Sequence, residues 1–429
     1  MDIFIYDEFN PEDVAMMQAL YSRSAASVTE HVEKVKKSGS GKFMERFYVG
    51  YGHASIADCG STTVFIEGVS MFVAKAIQDW PLYSGQETSS RYIDFSKRGV
   101  HNPLGTKESQ KIIDAWMAFY LESQAPLELH LKEKYPRKEG EDEGVYGRAI
   151  KARVFDILRG FLPAGATTQL SWHTNLRQAH DKLVLLRHHP LAEVREVGEK
   201  IHTALLVKYP NSFGHKQHED REEYRAFLSE KFTFYKEKKY AGDFVFKTNI
   251  NKKELVGYKS VLKKRPAKTN LPLFLAELGN VTYEFLMDFG SFRDIQRHRN
   301  GVCRMPLLTT QYGFNEWYLE QLSTELRAKA KKLIKEQTGA IKAVKSEPVT
   351  KQYLIAMGFN VTCKVTYGLP AAIYTMELRS GKTVHASLRR IAHKMYGALK
   401  KAFPELTMHP DLDQDDWDVR RGLQDIKEK

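Results

Sequence analysis

Cysteine is scarce: three residues in 429, Cys59, Cys303 and Cys363. They lie far apart and form no CxxC pair, which argues against a disulfide framework and against a cysteine-based zinc site. Reduced thiols packed in the interior are expected instead. No apolar run approaches the roughly eighteen residues that a membrane-spanning helix needs. The opening Met1-Asp2-Ile3-Phe4 also lacks the basic start and apolar stretch of a secretion signal, so the expectation is a cytoplasmic protein with no membrane partner. A glycine-rich phosphate loop is missing, so a Rossmann unit is not indicated. His173, His180, His188 and His189 have no carboxylate at ligand spacing, and no metal is expected.

What is present is ordinary for a globular chain: 42% hydrophobic and 28% charged residues. The length exceeds what one small core serves, which points to two domains or to one domain built twice. The formal net charge of +12 favours an anionic partner, and charge alone does not choose between nucleic acid and phosphorylated small molecules. Much of the charge sits in runs, at residues 236–239 and 263–268, which read as solvated faces or linkers.

The chain repeats itself loosely. Ile56-Ala57-Asp58-Cys59-Gly60-Ser61-Thr62-Thr63 aligns with Leu275-Ala276-Glu277-Leu278-Gly279-Asn280-Val281-Thr282, and after one residue of slippage Ile77-Gln78 meets Ile295-Gln296. Later, Leu186-Arg187, Arg195 and Pro210 resemble Leu378-Arg379, Arg389 and Pro404. A period on the order of 200 residues is far longer than a solenoid unit and indicates duplication of a whole domain. The expected division is 1–225 and 226–429, with the boundary in the basic, weakly periodic stretch 214–270. Thr62-Thr63-Val64-Phe65-Ile66 suits a strand, with Ser70 capping a helix through Ile77; Val281-Thr282-Tyr283-Glu284-Phe285 and Ser291 repeat that order. Long helices are expected over 108–132, 146–161 and 317–337.

The end of each strand-helix unit carries polar groups, and the two halves divide them. The second half has Arg297-His298-Arg299, three cationic or titratable side chains in one turn, where the first has Asp79-Trp80-Pro81. The first half has Ser84-Gly85-Gln86-Glu87-Thr88-Ser89-Ser90-Arg91-Tyr92, which the second lacks. Arg91 with Ser89 and Ser90 offers the fork and hydroxyls that suit a phosphate. Together with Gly52-His53-Ala54-Ser55, these segments resemble the flavin-dependent thymidylate synthases, whose signature is Arg-His-Arg, two residues, Ser, two residues, then Glu-x-Ser-x-Arg-Tyr. Downstream, Arg159, Leu162, Pro163, Thr168, Trp172, Asn175 and Arg177 resemble the family's Arg-Leu-Pro and Asn-x-Arg segment. Glu377-Leu378-Arg379-Ser380 resembles its Leu-Arg segment. Two departures stand out: Asp294 where the family usually has Gln, and Val302 where it has Ser.

The resemblance implies an α+β fold of two tandem domains, each a small, mostly antiparallel sheet with long helices. It implies FAD contact for Ser55, Glu87, Asn175, Arg177, Arg297, His298 and Arg299. Nucleotide contact is implied for Glu87, Thr88, Ser89, Ser90, Arg91, Arg159 and Arg379, and catalytic roles for Arg297, His298 and Arg379, the last lying against the uracil. The implied reaction transfers a methylene from methylenetetrahydrofolate to dUMP and reduces it with flavin hydride supplied by NADPH. Active sites in that family lie between subunits of a tetramer, so a double chain that lost one contribution from each half implies one composite site, with a homodimer mimicking the tetramer. Two other readings stay open: another flavin-dependent pyrimidine nucleotide modification such as hydroxymethylation, and a retired homologue acting as a nucleic-acid-binding or scaffold protein, although nucleic acid is not the expected partner. His53 is either a helix cap or packed core histidine, or a group beside the substrate.

Overall fold

The computed structural model describes residues 1–6, 10–21, 28–50, 54–91, 93–235, 243–413 and 417; His53, Tyr92 and the charge run 236–239 lie outside them. The architecture is α+β. Strands β1 (Asp2–Tyr6), β2 (Ser61–Ser70) and β3 (Thr167–Asn175) form one antiparallel sheet in that order. Strands β4 (Phe244–Thr248), β5 (Asn280–Asp288), β6 (Gly301–Cys303) and β7 (Asn360–Gly368) form a second, ordered β4-β5-β7-β6 and also antiparallel.

Alternation explains both sheets. On β2 and β3, Val64 faces Trp172 and Ile66 faces Leu170, all buried; on β5 and β7, Tyr283 faces Val365 and Phe285 faces Cys363, again all buried. Period-two burial of β-branched and aromatic residues is what fixes register in a sheet with one covered face. The compact units are not sequential. One comprises residues 1–88 and 166–233, the other 89–165 and 234–429, so a segment of the first sequence half packs with the second. The division 1–225 and 226–429 is one of sequence pattern; this one is of packing.

The two sheets repeat each other in detail. β2 and β5 begin 280 − 61 = 219 residues apart and end 288 − 70 = 218 apart. The lost residue is a bulge between Glu67 and Val69, where Gly68 takes φ +67°, a conformation that glycine adopts without strain. The one-residue slippage in the sequence repeat is therefore a physical feature of β2. Helix Met71–Gln78 follows β2 and helix Phe289–Gln296 follows β5. The first is capped by Ser70, whose Oγ accepts from Val73 N at 3.4 Å. The second is capped by Asp288, which accepts from Ser291 N at 2.8 Å, so Ser291 is inside the helix rather than its cap.

Each cap is bonded to the start of a later helix, with the chemistry reversed. Ser70 donates its N–H (2.9 Å) and its hydroxyl to Glu193 in helix Ala192–Lys208. In the other unit Ser387, in helix Ala386–Ala402, donates its hydroxyl to Asp288. A carboxylate and a hydroxyl meet in both places, from opposite partners. The polar run of the first half also has a counterpart: Ser84 bridges His173 on β3 as Val302 of β6 pairs with Thr366 of β7. At Gly85 an added Cβ would come within 2.0 Å of Ser171 O, so only glycine lets the run lie this close to β3.

Three expectations need correction. The helix expected over 108–132 is two, Lys107–Glu122 and Gln124–Lys134, because Pro126 cannot donate and its ring clashes one turn back, so it is tolerated only in a first turn. The helix expected over 317–337 is Glu316–Glu320 followed by Thr324–Ala343, restarted by the Ser323 cap. Of the cysteines, all free, Cys363 is buried while Cys59 and Cys303 are half-buried.

Candidate active site

Helix Phe289–Gln296 is organised from its first turn. Asp288 is fully buried and holds the helix N-terminus; it also accepts from Tyr318 OH at 2.7 Å and from Ser387. Ser291 in turn accepts from Arg159 Nη2 at 2.9 Å and lies 3.1 Å from His385 Nδ1. A carboxylate in this position stabilises the positive end of the helix dipole, and the hydroxyls satisfy its remaining lone pairs. At the other end the chain leaves the helix through Arg297, His298 and Arg299. Apolar Phe289, Phe292 and Ile295 are buried at 0% exposure and fix the helix rotation, which turns Asp294 and Arg297 outward together.

A group of arginines surrounds Asp294. Arg297 pairs with it at 3.1 Å, with side-chain exposures of 55% and 17%. Burial would raise the Asp294 pKa, but Arg297, Arg159, Arg91 and Arg379 outweigh it and hold the carboxyl well below the usual range. Arg91 is forked on buried Asp156, Nε to Oδ1 at 2.7 Å and Nη2 to Oδ2 at 2.9 Å, and its Nη1 donates to Thr383 O at 3.1 Å. Arg159, 2% exposed, lies 3.8 Å from Asp156 and 4.0 Å from Asp288. Arg293 Nη1 donates to Ser90 Oγ at 3.0 Å.

His298 is neutral. Burial, then the nearby charges of Arg379 and Arg297, push its pKa down to about 3. Its Nε2 accepts from Arg379 Nε at 2.6 Å, which leaves the ring proton on Nδ1. Arg379 is thereby oriented through Nε while both Nη groups remain for another acceptor. An array of cations outnumbering carboxylates, oriented by buried partners, can bind an anion or stabilise negative charge that develops on a ligand.

The residues proposed from sequence divide between the units. Ser89, Ser90, Arg91, Arg159, Arg297, His298, Arg299 and Arg379 belong to the unit just described; Ser89 Oγ accepts from Arg91 N at 3.2 Å, and Arg299 Nη1 donates to Arg297 O at 3.3 Å. Ser55, Glu87, Thr88, Asn175 and Arg177 belong to the other unit. There Ser55 is exposed, and Thr88 N donates to Gln169 O at 3.0 Å. Glu87 pairs with buried Lys75 at 3.1 Å and accepts from Gln78 at 2.9 Å. Asn175 caps helix Leu176–Leu186 by accepting from Gln178 N at 2.8 Å, and Arg177 forks on Asp58 at 2.8 and 2.7 Å.

The Asp79-Trp80-Pro81 segment occupies in that unit the place that Arg297-His298-Arg299 occupies in its own. Trp80 Nε1 donates to Gln178 at 2.9 Å, and Lys182 Nζ donates to Asp79 O at 2.8 Å. Leu186 ends its helix at the position equivalent to Arg379, while Arg187 turns to Glu222 at 3.3 Å. The position that carries the oriented arginine in the other unit therefore carries a leucine here.

Sequence reasoning missed Asp156, Asp288, Tyr318 and Ser387. Asp156 had a usable signal, since an acid three residues before Arg159 on a helix shares its face; the others become partners only through folding. Lys75 and Arg293 were also legible, because the 218-residue offset puts a buried cation at one position in both halves. Among the described residues no group of three or more His, Cys, Asp or Glu is placed to hold a metal, and no helix is long and apolar enough to cross a membrane.

Comparisons with known proteins place this geometry in context. Curated relatives include a UPF0159 protein of Chlamydia pneumoniae, 25% identical over 90% of this chain and 83% of its own length. Another UPF0159 protein, from Thermoplasma acidophilum, is 22% identical over 92% of this chain and 94% of its own. Similar solved structures include the flavin dependent thymidylate synthase ThyX of Helicobacter pylori complexed with FAD and dUMP (16% identity, 50% of this chain, 98% of that one, TM-score 0.31). The UMP/dUMP methylase PolB of Streptomyces cacaoi, bound with 5-Br dUMP, also matches (18% identity, 49% and 93%, TM-score 0.34). The family model described as thymidylate synthase complementing protein matches residues 6–211. Over those residues, just under half of its length, the chain is similar to the thymidylate synthase complementing protein family.

Proposed function

We propose that this chain is a flavin-dependent thymidylate synthase built as a tandem duplication, methylating dUMP with methylenetetrahydrofolate as donor, FAD as cofactor and NADPH as reductant. The observation that carries the reading is the cluster of Arg91, Arg159, Arg297, His298 and Arg379: drawn from both sequence halves, it sits in one compact unit around Asp294. Each half lacks what the other supplies, and the reversed Ser70–Glu193 and Ser387–Asp288 pairs support duplication followed by divergence.

The residues fit an anionic cofactor and nucleotide. Half-exposed Arg297, with Arg299 beside it, presents guanidinium donors suited to the phosphates of FAD and to a negatively charged ring. FAD, when bound, supplies the hydride. Arg379, oriented through Nε by His298, stabilises the uracil anion that attacks the methylene carbon, so no cysteine nucleophile is needed. This suits the Cys363 thiol, which burial pushes well up. Neutral His298 keeps the guanidinium oriented without adding a competing charge. Arg91 and Arg159, fixed by Asp156 and Ser291, hold the nucleotide. The lack of an arginine at the equivalent position of the other unit supports one working site per chain, and the reading takes the chain to act as a homodimer.

The test is tritium release from dUMP labelled at C5, with FAD and NADPH, in the presence and absence of methylenetetrahydrofolate. Folate-dependent release with formation of dTMP is expected. Release with a different product would replace this reading by another pyrimidine modification, and a protein that takes up neither FAD nor dUMP would refute it. Titration of FAD and dUMP per chain should give one of each; two of each would sink the single site.

A further inference from the structure

The carboxylates of the arginine cluster are not alike. Asp156 and Asp288 are buried and fully engaged, one forked on Arg91, the other holding a helix terminus, Tyr318 and Ser387. Asp294 is different: it is 17% exposed, its ion-pair partner is the most exposed arginine of the group, and it feels the charges of Arg91, Arg159, Arg297 and Arg379. It comes from the middle of the helix whose end delivers Arg297 and His298, so its place is set by the same packing that places them.

Resting on the nucleotide-binding reading above, we infer that Asp294 is a specificity-determining residue that acts as a resident counter-anion, lowering this site's preference for a dianionic phosphate over the uncharged nucleoside. The physical ground is charge placement. A carboxylate held ionised among four guanidiniums neutralises one of them and repels a second anion brought to the same group. The repulsion scales with ligand charge: a dianion feels it twice and an uncharged nucleoside hardly at all. The asparagine or glutamine isostere keeps the polar shape and removes the charge.

The ion pair also sets which arginine is affected. Arg297 is tethered to Asp294 at 3.1 Å, whereas Arg379 is tethered to neutral His298. The nucleotide phosphate that Arg91 and Arg159 hold therefore meets the charge of Asp294, which acts on both of them, while a single negative charge, such as the one that develops on a pyrimidine ring, meets Arg379, which Asp294 does not tether. The site is thus biased toward ligands whose charge develops during reaction and away from those that bring two charges to it.

The experiment measures binding of dUMP and of deoxyuridine by calorimetry to the FAD-loaded full chain, wild type, Asp294→Asn and Asp294→Glu, at fixed pH and salt. In Asp294→Asn the dUMP dissociation constant should fall on the order of tenfold to a hundredfold, with deoxyuridine changed less than about twofold by the same charge argument. Asp294→Glu should keep the wild-type ratio. If Asp294→Asn unfolds, Asp294→Gln serves in its place, with the same expectation. Equal shifts for both ligands, or no shift for dUMP, would overturn the inference and leave the nucleotide-binding reading intact. Failure of the wild type to bind either ligand would overturn both.

Discussion

Replacing Asp156 with alanine removes the acceptor that holds two arginines at once. Its side chain is 2% exposed, takes both Nε and Nη2 of Arg91 at 2.7 and 2.9 Å, and lies 3.8 Å from buried Arg159. Breaking a buried pair on one side leaves an uncompensated charge, which costs about 3–5 kcal/mol. For a unit of this size each kcal/mol corresponds to roughly 2–4 °C, so the melting transition should fall by about 6–20 °C. Asp156→Asn keeps an acceptor oxygen and should lose about half as much. The diagnostic variant is Asp156→Ala combined with Arg91→Ala, which removes one orphaned cation and should recover part of the loss in a double-mutant cycle. Thermal unfolding followed by circular dichroism and by intrinsic fluorescence reads stability, and dUMP calorimetry reads whether Arg91 is still presented. The reasoning is refuted if Asp156→Ala shifts the transition no more than the surface control Lys329→Ala, or if the double variant is less stable than Asp156→Ala by the full cost of Arg91→Ala alone.

Three further outcomes are expected. The His298 pKa is lowered to about 3 from an ordinary 6.5, so the folded chain binds fewer protons than the unfolded between those values. Its contribution to stability is complete above about pH 6.5 and is lost as pH falls toward 3; denaturation midpoints across that window should slope less in His298→Gln than in wild type. Arg379→Ala and Arg297→Ala should each lower turnover about a hundredfold or more, as loss of a transition-state charge donor does, while Arg187→Ala, which breaks only its contact with Glu222, should stay within about threefold by the weakness of such half-exposed pairs. The reversed caps predict coupling: Ser70→Asp alone sets a second carboxylate against buried Glu193 and should destabilise by about 2 kcal/mol or more, and adding Glu193→Ser should restore much of it. Additive losses in urea denaturation would contradict the equivalence of Ser70–Glu193 with Asp288–Ser387.

Much of the candidate site was legible before folding. The Arg297-His298-Arg299 turn, Arg379, the Ser84 to Arg91 run and Arg159 stand out because their residue types and spacing are unusual and because each half lacks the other's set. Partners were not legible. Arg91 reads in sequence as a free phosphate fork, yet it is largely committed to Asp156 and Thr383 O. Asp294 stands out in sequence only as a departure from Gln, and folding alone makes it the counter-ion of an arginine group. The helix break at Ser323 was similarly hidden, because the apolar period of Leu319, Leu322 and Leu326 continues across it, whereas Pro126 was a legible signal for the one at Ser123.

The sequence by itself determined the strand-helix repeat, the slippage that proves to be the Gly68 bulge, and which half carries which polar set. These follow from local rules: period-two burial, capping residues and glycine's access to positive φ. Tertiary structure alone decided that residues 89–165 pack with the second half, and so that Arg91, Asp156 and Arg159 surround the helix bearing Asp294 and Arg297. That outcome depends on burial of side chains far apart in the chain, which no local pattern encodes.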